Sequence, residues 1–383
     1  MKWTNKGHEL DGMGDILLNP ANEYYIWGAG TFGIAFWERF HTSFRISAFI
    51  DRNPNKQGAK CCGLDVLSPT EFKEVRKNEI VLVSTGLTAS AYDTLDAMGF
   101  VRFRDYFHID EAASIYEFKK HGRVYVNDLT IQITRKCSLK CQYCNAFIPL
   151  VKEKIDFSLE EIKQELNHYF CWVDEVNIFG MSGGDAMMHR DFADILEWVG
   201  ETYYPKRMNH IELYCNAVIL PSDRILDLMA KYKVIYRFTD YHGNAGRQRI
   251  EEVEALLKER GIAFDHANLQ SWYDSGYPQE SNGIESEEGL IAFCTRCDRK
   301  SCHGLWGDRL FTCGICKNAA DIEYCDVLAD DYFDIGTYRE ERRAELLEYY
   351  LGYSNRGYYN YCRKCNGGMN VNTHAILAGE QAT

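Results

Sequence analysis

The segment Arg135-Lys136-Cys137-Ser138-Leu139-Lys140-Cys141-Gln142-Tyr143-Cys144-Asn145 sets three cysteines at Cys-x3-Cys-x2-Cys spacing. An apolar stretch at 129–134 runs straight into them and reads as a strand. Three thiolates on one compact loop can ligate three irons of a cubane cluster. Loops that hold a whole four-iron cluster usually bring four cysteines, so a three-cysteine loop leaves one iron open to a substrate or cofactor. The competing readings are a zinc site, which thiolates also favour, and ordinary buried thiols. The spacing and the position after a strand favour the cluster.

The whole chain holds 15 cysteines in 383 residues, and 8 of them follow residue 290. An odd, clustered set fits metal ligation better than a disulfide framework, above all in a reducing compartment. Met1 to Gly14 is polar, with no apolar core of a signal peptide. No apolar run reaches the length a membrane helix needs. These observations predict a soluble, cytoplasmic chain with no membrane partner. A net charge of −13 argues against nucleic acid, whose phosphates need a basic footprint.

Around the cysteines the elements alternate, which predicts an α/β fold with parallel sheets. Three stretches are expected: 1–122, 123–285 and 286–383. In the first, Tyr24-Tyr25-Ile26-Trp27 leads through a glycine loop into a helix at 34–41, with further strands at 46–50 and 79–84 and a helix at 90–98. In the second, strands are expected at 124–133, 175–180, 211–216, 233–239 and 262–268, separated by helices. Ser158-Leu159-Glu160-Glu161 is a capping box for one helix, and 247–260 is an amphipathic helix stopped by Gly261. That pattern suits a partial barrel, whose active residues gather at the C-terminal strand ends. The third stretch is cysteine-rich and less regular, with one convincing helix at 340–351.

The cysteine loop, with Tyr143 just before its last cysteine, resembles the signature of the radical S-adenosylmethionine (SAM) superfamily. The resemblance implies a partial (β/α)6 radical SAM barrel, a [4Fe-4S] cluster on Cys137, Cys141 and Cys144, and SAM on the open iron. It further implies that reductive cleavage of SAM yields a 5′-deoxyadenosyl radical, which takes hydrogen from an unactivated C–H bond. Phe179-Gly180-Met181-Ser182-Gly183-Gly184-Asp185 resembles the family's Gly-Gly-Glu motif, so Gly183, Gly184 and Asp185 are expected at the SAM amino group, with Asp replacing the usual Glu. Glycine there lets backbone approach a ligand closely. Asn216, in Tyr214-Cys215-Asn216-Ala217-Val218-Ile219-Leu220, contacts SAM or closes a strand end. Thr239 and Asp240, at the end of the next strand, are weaker SAM candidates. The resemblance covers about residues 125–270.

Further on, Cys294, Cys297, Cys302, Cys313, Cys316 and Cys325 precede Cys362-Arg363-Lys364-Cys365. This stretch resembles the auxiliary-cluster region called SPASM, or its shorter form called twitch, with Gly307-Asp308 as a hairpin turn. It implies a second, auxiliary [4Fe-4S] cluster on Cys297, Cys302, Cys313 and one or both of Cys362 and Cys365. A structural zinc site is the alternative. Cys61, Cys62, Cys171 and Cys215 read as ordinary thiols.

Gly28, Gly30 and Gly33 follow the first strand in Gly-x-Gly-x-x-Gly order, and Asp51 ends the second strand. This is the pattern of a dinucleotide-binding turn, in which a helix N-terminus faces phosphate and the acid binds a ribose. Residues 22–110, through Ala48-Phe49-Ile50-Asp51-Arg52-Asn53-Pro54 and Gly63-Leu64-Asp65-Val66-Leu67-Ser68-Pro69, resemble the Rossmann-like domains of surface-glycan enzymes, some of which bind nucleotide-sugars. A nucleotide site and a purely structural role both stay open.

Three functions follow. The first is a radical SAM oxidoreductase or lyase acting on a small-molecule substrate (a sugar, aminocyclitol or nucleotide-sugar), fed by a flavodoxin or ferredoxin-type donor. The second is a peptide-modifying radical SAM enzyme, although no leader-binding winged helix is evident. The third is an iron–sulfur scaffold or electron carrier. A nicotinamide-dependent dehydrogenase would instead use the Gly28–Gly33 turn. No catalytic acid or base is identifiable; His189, His242, His266 and His303 are candidates, and Arg237 and Trp272-Tyr273-Asp274 are expected near the substrate.

Overall fold

The computed structural model describes residues 1–77, 79–85, 88–277 and 279–382, with backbone alone at 300 and 301. It divides the chain into two compact units, Thr4–Arg123 and Met1–Trp3 with Val124–Thr383.

The first unit is a six-stranded sheet. Its strands are β1 (Tyr24–Trp27), β2 (Ile46–Ile50), β3 (Lys60–Cys61), β4 (Leu64–Leu67), β5 (Ile80–Val83) and β6 (Tyr106–His108). The spatial order is β3-β4-β2-β1-β5-β6. Every neighbouring pair is parallel except the β3–β4 hairpin at the edge. The central strands β1 and β5 are uninterrupted apolar runs, buried along their whole length, as expected of strands covered on both faces. The chain reverses direction in its walk across the sheet between β1 and β5, and the glycine loop emerges from the carboxyl end of β1 at that switch point, where ligands of open α/β sheets bind.

The second unit carries an eight-stranded sheet. Five parallel strands come first: β7 (Tyr125–Thr134), β8 (Glu175–Gly183), β9 (Met208–Cys215), β10 (Ile235–Asp240) and β11 (Phe264–Asn268). Helices Leu159–Trp172, Phe192–Tyr203, Asp223–Lys231 and Ile250–Glu259 connect them. Then come β12 (Ser271–Tyr273), β13 (Gly304–Trp306), β14 (Arg309–Phe311), β15 (Phe333–Asp334) and β16 (Ala375–Leu377). The order β11-β10-β9-β8-β7-β13-β14-β15 shows that the cysteine-rich stretch continues the parallel sheet past β7. The join is narrow: β13 registers on β7 through Gly304 and Thr130, and β14 turns back antiparallel. The two remaining strands, β12 and β16, form a separate antiparallel ribbon. No helix among the described residues is long and apolar enough to cross a membrane.

Local signals act as their chemistry dictates. Ser158 and Glu161 form the reciprocal capping box. Gly261, at φ +63°, ends the helix Ile250–Glu259. Gly307-Asp308 is the two-residue turn between β13 and β14, with Gly307 at φ +57°. The cysteine-rich stretch is more helical than its sequence suggests, because Glu287–Arg296 and Gly314–Asp321 are also helices. The second opens on Gly-Ile-Cys, a poor helix start by propensity, and is held by its buried face of Ile315, Cys316, Ala319 and Ala320.

Alternation assigns the two faces of the parallel sheet. Leu129, Ile131, Ile133, Phe179, Met181, Ile211 and Leu213 point one way and are fully buried. On the other face Thr130, Gly180 and Glu212 are in register, and so are Tyr214 and Arg237. That second face is polar.

Candidate metal centre and cofactor site

β7 delivers the cysteine loop and β8 delivers Gly183-Gly184-Asp185 beside it. The two segments are laced by backbone bonds, Gly184 N to Thr134 O (3.0 Å) and Asp185 N to Lys136 O (2.8 Å). A Cβ on Gly183 would lie 2.6 Å from Thr134 Cγ2, and one on Gly184 would lie 2.6 Å from Cys137 Cβ and collide with Lys136 O. These glycines are therefore required by the contact between the motif and the cysteine loop, a constraint separate from the ligand approach inferred from sequence.

The three thiols differ in their surroundings. Cys137 Sγ accepts from the Leu139 amide (3.4 Å) and from Asn216 Nδ2 (3.5 Å). Cys141 Sγ accepts from Gln381 Nε2 (3.3 Å). Cys144 faces the backbone amides of Ala146, Phe147 and Ile148. Burial pushes the Cys137 thiol up to about 12 and Cys141 up to about 11. Such thiols ionise only against a compensating positive charge, which a bound metal supplies. Tyr143, at φ +55°, turns the chain before Cys144 and packs edge-on against Tyr277 at 5.8 Å.

Asp185 is 1% exposed. Its Oδ1 accepts from Met187 N at 3.0 Å, while Oδ2 is buried with no well-formed hydrogen bond, the Asn216 amide and the Cys215 thiol being the donors near the carboxyl. Desolvation holds its carboxyl above the usual range. A buried carboxylate oxygen without a well-formed hydrogen bond is costly unless a ligand satisfies it. The Trp272 indole Nε1 is buried without a partner, and its ring packs on the cluster of Leu139, Cys141 and Ala245. Three thiols, one under-bonded acid and one orphaned donor around a single loop fit a metal cluster with an amine-bearing cofactor.

Asn216 lies at the end of β9, and its amide reaches Ser138 Oγ (3.0 Å) as well as Cys137, bracing the loop from the side. Asp240 Oδ1 caps the turn at His242 N (2.7 Å). Thr239 offers its carbonyl to Gln248 Nε2. Gln248, which carried no sequence signal, ties the ends of β9 and β10 together by donating also to Asn216 O (2.8 Å) and accepting from Tyr241 N (3.0 Å).

The histidines are mostly structural. His189 bonds Phe157 O and Asp191 N. His303 bridges Asp128 and Tyr350 O. His266 Nδ1 meets Glu254 at 2.8 Å, and its Nε2 faces Asp240 Oδ2 at 4.0 Å. His242 sits in a turn at φ +53°. Arg237 belongs to a network on the polar sheet face: its Nη2 bonds Glu212 Oε1 at 2.6 Å, and Tyr214 OH bonds Glu212 Oε2 at 2.7 Å. Asp265 closes it from β11.

A second group of cysteines lines one buried cavity: Cys294, Cys297, Cys313, Cys316, Cys362 and Cys365, with Arg299, Tyr359 and Tyr361. All of them are free thiols. Cys313 faces Cys365, Cys297 and Cys302, and Cys362 is hydrogen-bonded to Cys294. Cys302 pairs with Cys313 by a backbone bridge and is exposed, outside the cavity lining. Sequence spacing had not singled out Cys294 or Cys316 as wall residues. Gly367 N donates to Cys365 Sγ (3.2 Å) and Gly368 N to Cys297 Sγ (3.3 Å), the amide pattern that supports thiolate ligands. Among the described residues no three His, Cys, Asp or Glu side chains converge tightly enough to hold a single metal ion; the thiolates of a cubane reach different irons.

In the first unit, Gly28 sits at φ +118°, and a Cβ there would lie 2.5 Å from Ser84 Oγ. A Cβ on Gly33 would strike Gly28 O. Among the described residues, the one heavy atom within 4 Å of a Cβ built on Gly30 is Lys56 Nζ, at 3.7 Å. Asp51 Oδ2 accepts from Ala29 N (2.9 Å), and Lys56 Nζ bonds Ala29 O (2.9 Å). The acid thus shapes the turn itself, and Lys56 adds positive charge at its mouth.

Residues 131–244 match the family described as Radical_SAM, the radical SAM superfamily. Similar solved structures include BtrN in complex with AdoMet and 2-DOIA, at 12% identity, 63% of this chain, 93% of that chain and a TM-score of 0.43. Native anSMEcpe with bound AdoMet aligns at 12% identity over 66% of this chain and 93% of its own, TM-score 0.39. Streptococcus suis SuiB bound to S-adenosylmethionine aligns at 16% identity over 53% of this chain and 42% of its own, TM-score 0.31. No curated protein matches.

Proposed function

From the radical SAM domain at residues 131–244, we propose that this chain is a radical SAM enzyme that takes hydrogen from a hydroxyl-rich small molecule of the sugar or aminocyclitol class. The observation that carries the reading is Asp185, a buried carboxylate with one oxygen lacking a well-formed hydrogen bond, laced to a three-cysteine loop. When bound, a [4Fe-4S] cluster with SAM supplies a 5′-deoxyadenosyl radical. This chain's residues then have separate tasks. Cys137, Cys141 and Cys144 would hold the cluster, and Asp185 would accept from the SAM amino group. Asn216 keeps the loop in place. The polar sheet face, with Glu212, Arg237, Tyr214 and Asp265, presents both donors and acceptors, which suits hydroxyl and amino substituents. A peptide-modifying reaction remains the second reading, without a feature that favours it.

The cysteine cavity suits an auxiliary cluster, which Cys297, Cys313, Cys362 and Cys365 would hold and which would supply a redox centre. The Gly28–Gly33 turn with Lys56 suits the diphosphate of a nucleotide. A flavodoxin or ferredoxin-type protein supplies the electron. Oxygen-free reconstitution with iron, sulfide, SAM and dithionite tests the central claim: 5′-deoxyadenosine should accumulate. An intact cluster that leaves SAM uncleaved overturns it.

A further inference from the structure

The residues after β16 run along the cysteine loop at Lys140–Gln142, away from the Cys137 and Ser138 contacts of Asn216. They are firmly anchored first. β16 pairs with β12, Ala378 N bonds Gln270 O (3.1 Å), and Asn244 Nδ2 bonds Ala378 O (2.9 Å). Gly379, at φ +72°, carries the chain past Tyr241 so closely that a Cβ would lie 2.5 Å from Tyr241 Cβ. The strap then pairs with the loop backbone, Gln142 N to Glu380 O (2.7 Å) and Ala382 N to Lys140 O (2.6 Å).

At the centre of this bridge lies Gln381, opposite Cys141. Its Oε1 accepts from Lys140 N at 2.8 Å. That bond fixes the amide orientation, because a backbone N–H needs an acceptor. Nε2 is thereby directed at Cys141 Sγ (3.3 Å) and Gly379 O (2.7 Å). Only an amide serves both ends. A carboxylate would still accept from Lys140 N, but its second oxygen would face a sulfur and a carbonyl oxygen.

We propose that Gln381 is a positioning residue that clamps the 137–144 loop and raises the reduction potential of the cluster it holds, by donating its amide N–H to Cys141 Sγ. This rests on the reading of the loop as a cluster site. Hydrogen bonds to cluster sulfurs and shielding from solvent are among the terms that set such potentials. A donor facing the sulfur stabilises the more negative, reduced state. The strap contributes to both terms, and it comes from 240 residues away in sequence.

The test is an EPR-monitored redox titration of the full, anaerobically loaded chain, following the signal that changes when SAM is added. Gln381→Met and Gln381→Glu should both shift its midpoint to more negative potential, Gln381→Glu further. At a fixed potential near the wild-type midpoint, the ratio of reduced to oxidised cluster should fall roughly fivefold in Gln381→Met. Wild-type midpoints in both variants overturn the proposal. Hydrogen exchange on the cluster-free chain gives a second readout that does not depend on iron retention. The Lys140 amide should exchange faster in Gln381→Met, which has no acceptor there, and stay protected in Gln381→Glu, which keeps one; unchanged Lys140 exchange in Gln381→Met overturns the clamp. If Cys141→Ala keeps the SAM-responsive signal, the cluster reading itself has failed, and Gln381 has not been tested wrongly in its place.

Discussion

In the 137–144 loop, three thiols are set within eight residues at the end of one strand. Around Cys313, the cavity gathers thiols from 294–297, 313–316 and 362–365. The first cage is a local object. Its spacing survives in the unfolded chain, and folding adds mainly the walls: Gly184, Asp185, Asn216 and Gln381. The second does not exist until distant segments meet, so its ligands and the fold of its surroundings must form together. Thiols of the first cage should therefore govern chemistry, and thiols of the second should govern stability as well.

The sharpest way to break this division is Cys141→Ala. SAM cleavage should drop to background, with iron and sulfide near roughly four per chain remaining in the other cage. Loss of all iron would mean the cages are not independent. Next in size, Cys313→Ala should release the second cage's iron and lower unfolding stability by roughly 2–4 kcal/mol, read by denaturant titration, because a cross-link closing long loops is lost. Uncoupled 5′-deoxyadenosine formation should persist. Third, Asp185→Asn should weaken SAM binding about 10–100-fold, measured by equilibrium dialysis, as a charge-assisted bond is replaced by a neutral one. A thermal melt should barely move.

The smallest effect concerns Glu165, which lines a cleft of about 650 Å³ with Gln132, Lys317 and the β13–β14 hairpin. Burial raises its carboxyl from 4.5 to about 7. A raised folded value favours the protonated form. The stability it confers is thus complete below about pH 4.5 and is lost as pH rises through 7. Glu165→Gln should be nearly neutral at pH 5 and stabilising by about 1 kcal/mol at pH 8, discounted for partial exposure. Equal effects at both pH values would remove Glu165 from the account.

The same contrast governs what could be read from sequence. The parallel α/β alternation, the Ser158 capping box, the Gly307-Asp308 turn and the cysteine loop are all encoded within ten or so residues. Gln381 and Gln248 could not be found that way, since their partners lie at the ends of other strands. Cys294 and Cys316 were visible as residues, but membership of a cavity wall is a tertiary fact. The Gly183-Gly184 pair was legible while its reason was incomplete: the close neighbour that excludes a side chain is the chain's own loop. Asp51 is expected at a ribose from its place after the second strand; its bond to the Ala29 amide is a tertiary contact that the spacing does not carry.

The narrow join between β13 and β7 has a practical consequence. A fragment ending before residue 287 would remove Gly304 from beside Thr130 and the His303 carbonyl from the Thr130 amide, leaving the β7 edge without a strand neighbour. Bare strand edges template self-association, so an excised barrel should precipitate or form aggregates, whatever its cysteines can still bind.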